Sequence, residues 1–174
     1  LKVNTTGASN TAVGTAALVA NTTASQNTAV GAFALDANTT GDNITAIGFD
    51  ALGANTTATN NTACGSKAAN QITTGANNTA VGFDALTRCT TGGSNVAVGK
   101  DAADNITSGG NNTCLGHDAG RNITQGDNNI CIGNDSKISS EASANEICIG
   151  IGFNGVGSNS FSFGKSSNVV SNDF

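Results

Sequence analysis

The chain contains no proline, methionine, tryptophan or tyrosine, and aromatic residues fill only 4% of its 174 positions. So little bulk would give a compact globule a thin core. A narrow repeating coil needs less, because Val, Ile, Leu and Ala can stack on themselves. The lack of proline suits a backbone whose donors are used in ladders. Charge is scarce as well, at 11% of residues, which argues against disorder of the charged kind. The seven basic residues, Lys2, Lys67, Arg88, Lys100, Arg121, Lys137 and Lys165, are scattered, and the net charge is −5. With no basic stripe, nucleic acid is not an expected partner. No apolar run approaches the roughly 18 residues of a membrane span, so membrane insertion is not expected either. A chain that starts at Leu1 and lacks methionine is expected to be a fragment or a processed product.

What is present is repetition. The string NNTAVGFDAL, Asn77 to Leu86, nearly recurs as NTAVGAFAL from Asn27 and as NITAIGFDAL from Asn43. A glycine follows each apolar piece at Gly14, Gly31, Gly48, Gly65, Gly82, Gly99, Gly116, Gly133 and Gly150, always 17 residues apart. A fixed short period marks a solenoid whose repeats stack as coils. The apolar pieces are too short for ordinary helices, and the tracts between them are rich in the turn formers Asn, Gly and Thr. The expected fold is therefore all-β: a parallel β-solenoid with 17-residue coils spanning residues 1–150. Residues 151–174 are expected to add a shorter terminal coil and tail to the same body, because the next comparable glycine, Gly164, follows after 14 residues.

Alternation along a strand separates two columns. The residue before each glycine, Val13, Val30, Ile47, Cys64, Val81, Val98, Leu115, Ile132 and Ile149, is expected to face the core. The residue before that one, Ala12, Ala29, Ala46, Ala63, Ala80, Ala97, Cys114, Cys131 and Cys148, then points the other way. It is never polar, so it too reads as removed from water. A coil has one inside, and the second column is expected to lie at a contact between chains. The five cysteines, which include Cys64 and Cys89, are expected to be free thiols, suited to a reducing place of assembly.

Little else points to chemistry. Sequons such as Asn21-Thr22-Thr23 and Asn38-Thr39-Thr40 read first as repeated turns and second as glycan acceptors. An Asp column, Asp50, Asp84, Asp101, Asp118 and Asp135, reads as exposed turn caps in preference to a calcium array. GIGFNG, Gly150 to Gly155, has no helical pattern after it and so is not a dinucleotide fingerprint. His117 has no second imidazole or zinc-spaced Cys pair to complete a metal set. No cofactor, metal or catalytic residue is expected, and the chain is not expected to be an enzyme. Stacked Thr pairs from Thr22-Thr23 to Thr90-Thr91 raise a rival reading, a monomeric ice- or ligand-binding solenoid. A polysaccharide-cleaving spike enzyme is a third class.

The strings NTAVGFDAL and NNTAVG resemble the repeat arrays of phage and giant-virus fibre proteins, and NEICIGIGFNGVGSNSFSFG, Asn145 to Gly164, is similar to the head repeats of trimeric autotransporter adhesins. The resemblance implies a left-handed β-roll assembled as a homotrimer. It also implies a structural or adhesive segment of a fibre or spike at a virion or cell surface, outside the cell, attaching to a host glycan or protein receptor.

Overall fold

The structure, a computed structural model, describes residues 2–165 and the backbone of residues 168–173. Residues 166, 167 and 174, which belong to the expected terminal segment, lie outside the described residues, as does Leu1. The fold is all-β. The strands are β1 (Thr11–Val13), β2 (Thr28–Val30), β3 (Thr45–Ile47), β4 (Thr62–Cys64), β5 (Thr79–Val81), β6 (Val96–Val98), β7 (Thr113–Leu115), β8 (Ile130–Ile132), β9 (Ile147–Ile151), β10 (Ser160–Lys165) and β11 (Asn168–Asp173). They form one 11-stranded sheet in sequence order.

From β1 to β9 the strands pair in parallel, each residue opposite its counterpart 17 positions on. Between β9 and β10, also parallel, the step shortens to 14, with Gly164 opposite Gly150. β11 turns back antiparallel along β10 and so ends the parallel stack. The coils are a β-solenoid of about nine turns.

Backbone hydrogen bonds join each coil to both neighbours. Thr79 N–H donates forward to Asn95 O at 2.8 Å, and Gly82 N–H donates back to Cys64 O at 2.8 Å. Such close stacking leaves no room at the glycine column. A Cβ on Gly82 would overlap the carbonyl of Gly99, and φ there is 138°. This explains why the glycine never varies over nine coils.

Each coil also turns on residues in the left-handed region: in one repeat Asn77 (φ 62°), Asp84 (φ 53°) and Leu86 (φ 55°). Asn and Asp tolerate this conformation. Leu does not, and left-handed backbone costs about 1–2 kcal/mol per residue. Full burial of the Leu86 side chain returns about 1.5–3 kcal/mol, which offsets the strain.

The interior is narrow and its volume is shared between two positions three residues apart. Leu18, Leu35 and Leu52 are fully buried beside Asn21, Asn38 and Asn55. Where the first position shrinks to Ala69 or Ala103, the second grows to Ile72 or Ile106. Gly120 pairs with Ile123, and a Cβ on Gly120 would strike the Cys114 sulfur. At this pair of positions the coils from Leu18 to Ile123 thus hold one large aliphatic side chain each, from either position.

The asparagines of two internal ladders bond to one another and to the backbone inside the coils. In the longer one, Asn78 Nδ2 donates to Gly92 O at 2.9 Å while Asn78 Oδ1 accepts Asn95 N–H at 2.9 Å. It runs on to Asn129, whose Oδ1 accepts Glu146 N–H at 3.0 Å. The buried Glu146 carboxylate closes the stack, accepting from Ser139 Oγ at 2.9 Å and Gly157 N–H at 3.3 Å. The shorter ladder runs from Asn4 to Asn55 and stops at Ile72, leaving Asn55 Oδ1 without a partner.

That broken ladder generates a test. Ala69→Leu alone overfills its coil, and Ile72→Asn alone empties it, each destabilising by about 1–3 kcal/mol. Together they recreate the Leu–Asn pairing of the preceding coil and give Asn55 Oδ1 a donor. Denaturant melts of the four proteins should show the double variant more stable than the summed singles by about 1–3 kcal/mol. Simple additivity would refute the shared-volume account.

Candidate functional surface

The structure reverses the two faces expected from the strands. Ala29, Ala46, Ala63, Ala80, Ala97, Cys114, Cys131 and Cys148 are all 0% exposed, and Ala12 in the first coil is partly buried against the same core. This column lies inside the coil and is not a surface for another chain. The column expected inside is outside. Val13 is 56% exposed, Ile47 40%, Val98 38% and Ile149 38%. Val30, Val81, Leu115 and Ile132 are half-buried, and Cys64 is exposed. The physical reason is the volume rule above. Leu86 and its equivalents reach across the narrow interior, so the facing wall admits nothing larger than Ala or Cys. Smallness, not bulk, marks the inside of this coil.

The outer face of the strands therefore carries two columns. One is the Val, Ile and Leu series. The other, two residues earlier, is Thr11, Thr28, Thr45, Thr62, Thr79, Val96, Thr113, Ile130 and Ile147, half-buried or exposed throughout. Neither column holds a charged residue from β1 to β9. The parallel register stacks each member directly over the last.

A corner follows each glycine. Its first residue is Thr15, Ala32, Phe49, Ser66, Phe83, Lys100, His117 or Asn134, and its second carries the Asp column in left-handed backbone. Asp101 pairs with Lys100, while Asp118 meets His117 at 3.2 Å and Arg121 at 3.7 Å. Neighbouring carboxylates, Asp101 first, push the Lys100 ammonium above its ordinary pKa. Asp101, His117 and Asp118 bring their ligand atoms within 4.8 Å of one another. Along the chain His117 neighbours only Asp118, whereas stacking also sets it beside the preceding coil's Asp101. The bases at this corner already balance both carboxylates.

The turn tracts bury three of the sequon asparagines, while Asn4, Asn105 and Asn122 are half-buried. Asn21, Asn38 and Asn55 are fully buried with their amides in the ladder, so in the folded chain they cannot carry glycans. The first Thr of each pair uses its hydroxyl within the stack, as Thr90 Oγ1 does toward Thr107 O at 3.1 Å. The second, from Thr6 to Thr91, is exposed.

No family model, curated protein or solved structure matches the chain.

All five thiols are free, and four are buried. Burial pushes the Cys89 thiol up to about 11 from an ordinary 9.0. A hydrogen bond with Cys114, then burial, raises Cys131, and a hydrogen bond with Cys131, then burial, raises Cys148. A thiol-reactive chromophore should therefore titrate Cys64 alone in the folded protein, and all five only after denaturation. Because folding raises these pKa values, their stabilisation is complete below pH 9 and is lost as pH rises through the folded values. Melting temperature should hold steady up to about pH 9 and then fall. Fast labelling of Cys114, Cys131 or Cys148 would contradict the buried assignment.

Proposed function

We propose that this chain is a non-catalytic structural and adhesive segment of a homotrimeric fibre or spike, acting at a virion surface or otherwise outside the cell in attachment. The observation that carries the reading is the outer strand face. Nine coils present an uncharged column of Val, Ile, Leu and Cys beside a column of Thr, Val and Ile. At about 4.8 Å per coil, this is a stripe on the order of 40 Å long. Isolated soluble rods seldom leave such a stripe open to water, and closed symmetry buries it against copies of itself. The contact sought in the Ala and Cys column thus moves to the opposite face. The number three and a left-handed coil follow the resemblance to adhesin heads and viral fibres. Three chains also suit attachment, since weak receptor contacts repeated in parallel gain avidity.

A second reading has its own observation. Thr11, Thr28, Thr45, Thr62 and Thr79 form an evenly stacked outward row beside apolar residues, an arrangement suited to ordering water on a monomeric ice-binding solenoid. The row gives way to Val96, Ile130 and Ile147, which favours a dry contact.

Light scattering at micromolar concentration decides between them. A mass of three times the 17.0 kDa chain is expected. Val81→Lys sets a charge in the centre of the contact and should yield a monomer with the parent's circular dichroism. Ala80→Arg, one residue away, should instead unfold the chain, because an unpaired charge inside the coil costs several kcal/mol. Mild oxidation should link chains through Cys64, which lies on the same face. A parent that scatters as a single chain ends the trimer reading, and thermal hysteresis in that monomer would establish the rival.

A further inference from the structure

Three of the phenylalanines stand exposed at one corner of the rod. Phe33 is 41% exposed, Phe49 49% and Phe83 48%. Phe33 and Phe49 meet edge to face, their ring centroids 6.0 Å apart at 85°. The coil does not require them, because other coils place Thr15, Ser66, Lys100 or Asn134 where Phe49 and Phe83 stand. Large apolar rings kept in water where small polar residues serve elsewhere point to a surface used for binding.

Their spacing restricts what could bind. Phe49 and Phe83 occupy the same column two coils apart, with Ser66 between them. The intervening backbone bonds, Lys67 N–H to Phe49 O at 2.8 Å and Asp84 N–H to Ser66 O at 3.1 Å, hold the three coils in register. At about 4.8 Å per coil the two ring positions lie roughly 10 Å apart along the rod. The rim is polar and of both signs. Asp50 and Asp84 follow the two rings, and exposed Lys67 lies between them.

We infer that this corner binds an extended β-1,4-linked glycan chain, lying along the rod with alternate sugars stacked on Phe49 and Phe83. An aromatic face offers apolar area to the C–H face of a pyranose. The Asp50 and Asp84 carboxylates accept hydroxyl hydrogen bonds, and the Lys67 ammonium donates to sugar oxygens. A β-1,4 chain presents the same face at every second sugar, a disaccharide repeat that matches two coils. An α-1,4 chain curves away after one contact. A protein partner is disfavoured because the ring column is one residue wide and broken by Ser66. The inference deepens the attachment reading by naming its partner and rests on that reading for its purpose, but the corner belongs to a single chain and does not depend on trimer formation.

The test uses saturation-transfer NMR and calorimetry with cellohexaose, chitohexaose and maltohexaose as probes, and light scattering on the same samples. At least one β-linked hexasaccharide should bind, more tightly than its disaccharide and more tightly than maltohexaose. Phe49→Ala and Phe83→Ala should each weaken binding about three- to tenfold, the loss of one stacking contact. Both rings are half-exposed, so Phe83→Ala should melt close to the parent, and Phe49→Ala, which also gives up the Phe33 contact, only slightly below it. Thr15→Ala, in the same column two coils before Phe49, serves as a control that leaves binding unchanged. Absence of binding by every hexasaccharide, equal binding of maltohexaose, or affinity indifferent to both phenylalanines would each overturn the inference. A monomeric mass with ring-dependent binding would remove the trimer and leave the glycan site standing.

Discussion

Successive coils are held at the spacing of a parallel sheet along nearly the whole repeat, and every side chain in the rod answers to that separation. Where two backbones come closest, at the glycine column, no Cβ fits. Where the chain must turn within a repeat, it does so in left-handed conformations, even at Leu18, Leu35, Leu52 and Leu86. A lone left-handed leucine on a surface would simply be a strained residue. Here its side chain is driven into the coil by the same turn that strains its backbone, so burial and strain arise together and largely cancel.

The same spacing makes identical polar residues useful inside. An asparagine carries a donor and an acceptor, so a column of them can bond each other and the backbone without limit along the axis. An ionised glutamate, which only accepts, could not continue such a ladder in both directions. That is why Asn61 to Asn129 repeat without variation while Glu146 stands only at the end, with its carboxylate turned to the closing loop. Ile44 and Ile72 each replace an Asn, and at Ile72 the cost is visible as the unpaired Asn55 Oδ1.

The period, the parallel register, the strand positions and the shortened last step were legible because each rests on spacing, and spacing survives in a sequence unchanged. Which side of the strand faced inward was not, because alternation permits two answers and both columns exclude charge. Bulk suggested Val81; the coil chose Ala80. The deciding signal was present in the size range of each column. Ala80 and its equivalents never exceed Cys, whereas the neighbouring column ranges over Val, Ile, Leu and Cys. A space of fixed volume limits size, and an outer face does not. The asparagine ladders are not legible as ladders, because a single coil gives no hint that Asn78 points inward; only the stacking of coils supplies its partners.

Once the interior is settled by volume and by ladders, the outer columns are free of its limit on size. The first corner column, apart from Ala32, Phe49 and Phe83, drifts among Thr, Ser, Lys, His and Asn as free positions do. The outer strand columns do not drift in that way. They remain uncharged over nine coils and become more apolar toward β8 and β9, where Thr gives way to Ile130 and Ile147 beside Ile132 and Ile149. Stacking of half-buried β-branched side chains between coils favours Thr, Val and Ile there. The proposed contact with a second chain would add a reason for the absence of charge along the full length of the rod. The two faces of each three-residue strand thus obey different rules: the inner is limited in size by the volume of one coil, and the outer, open to water in the single chain, is not.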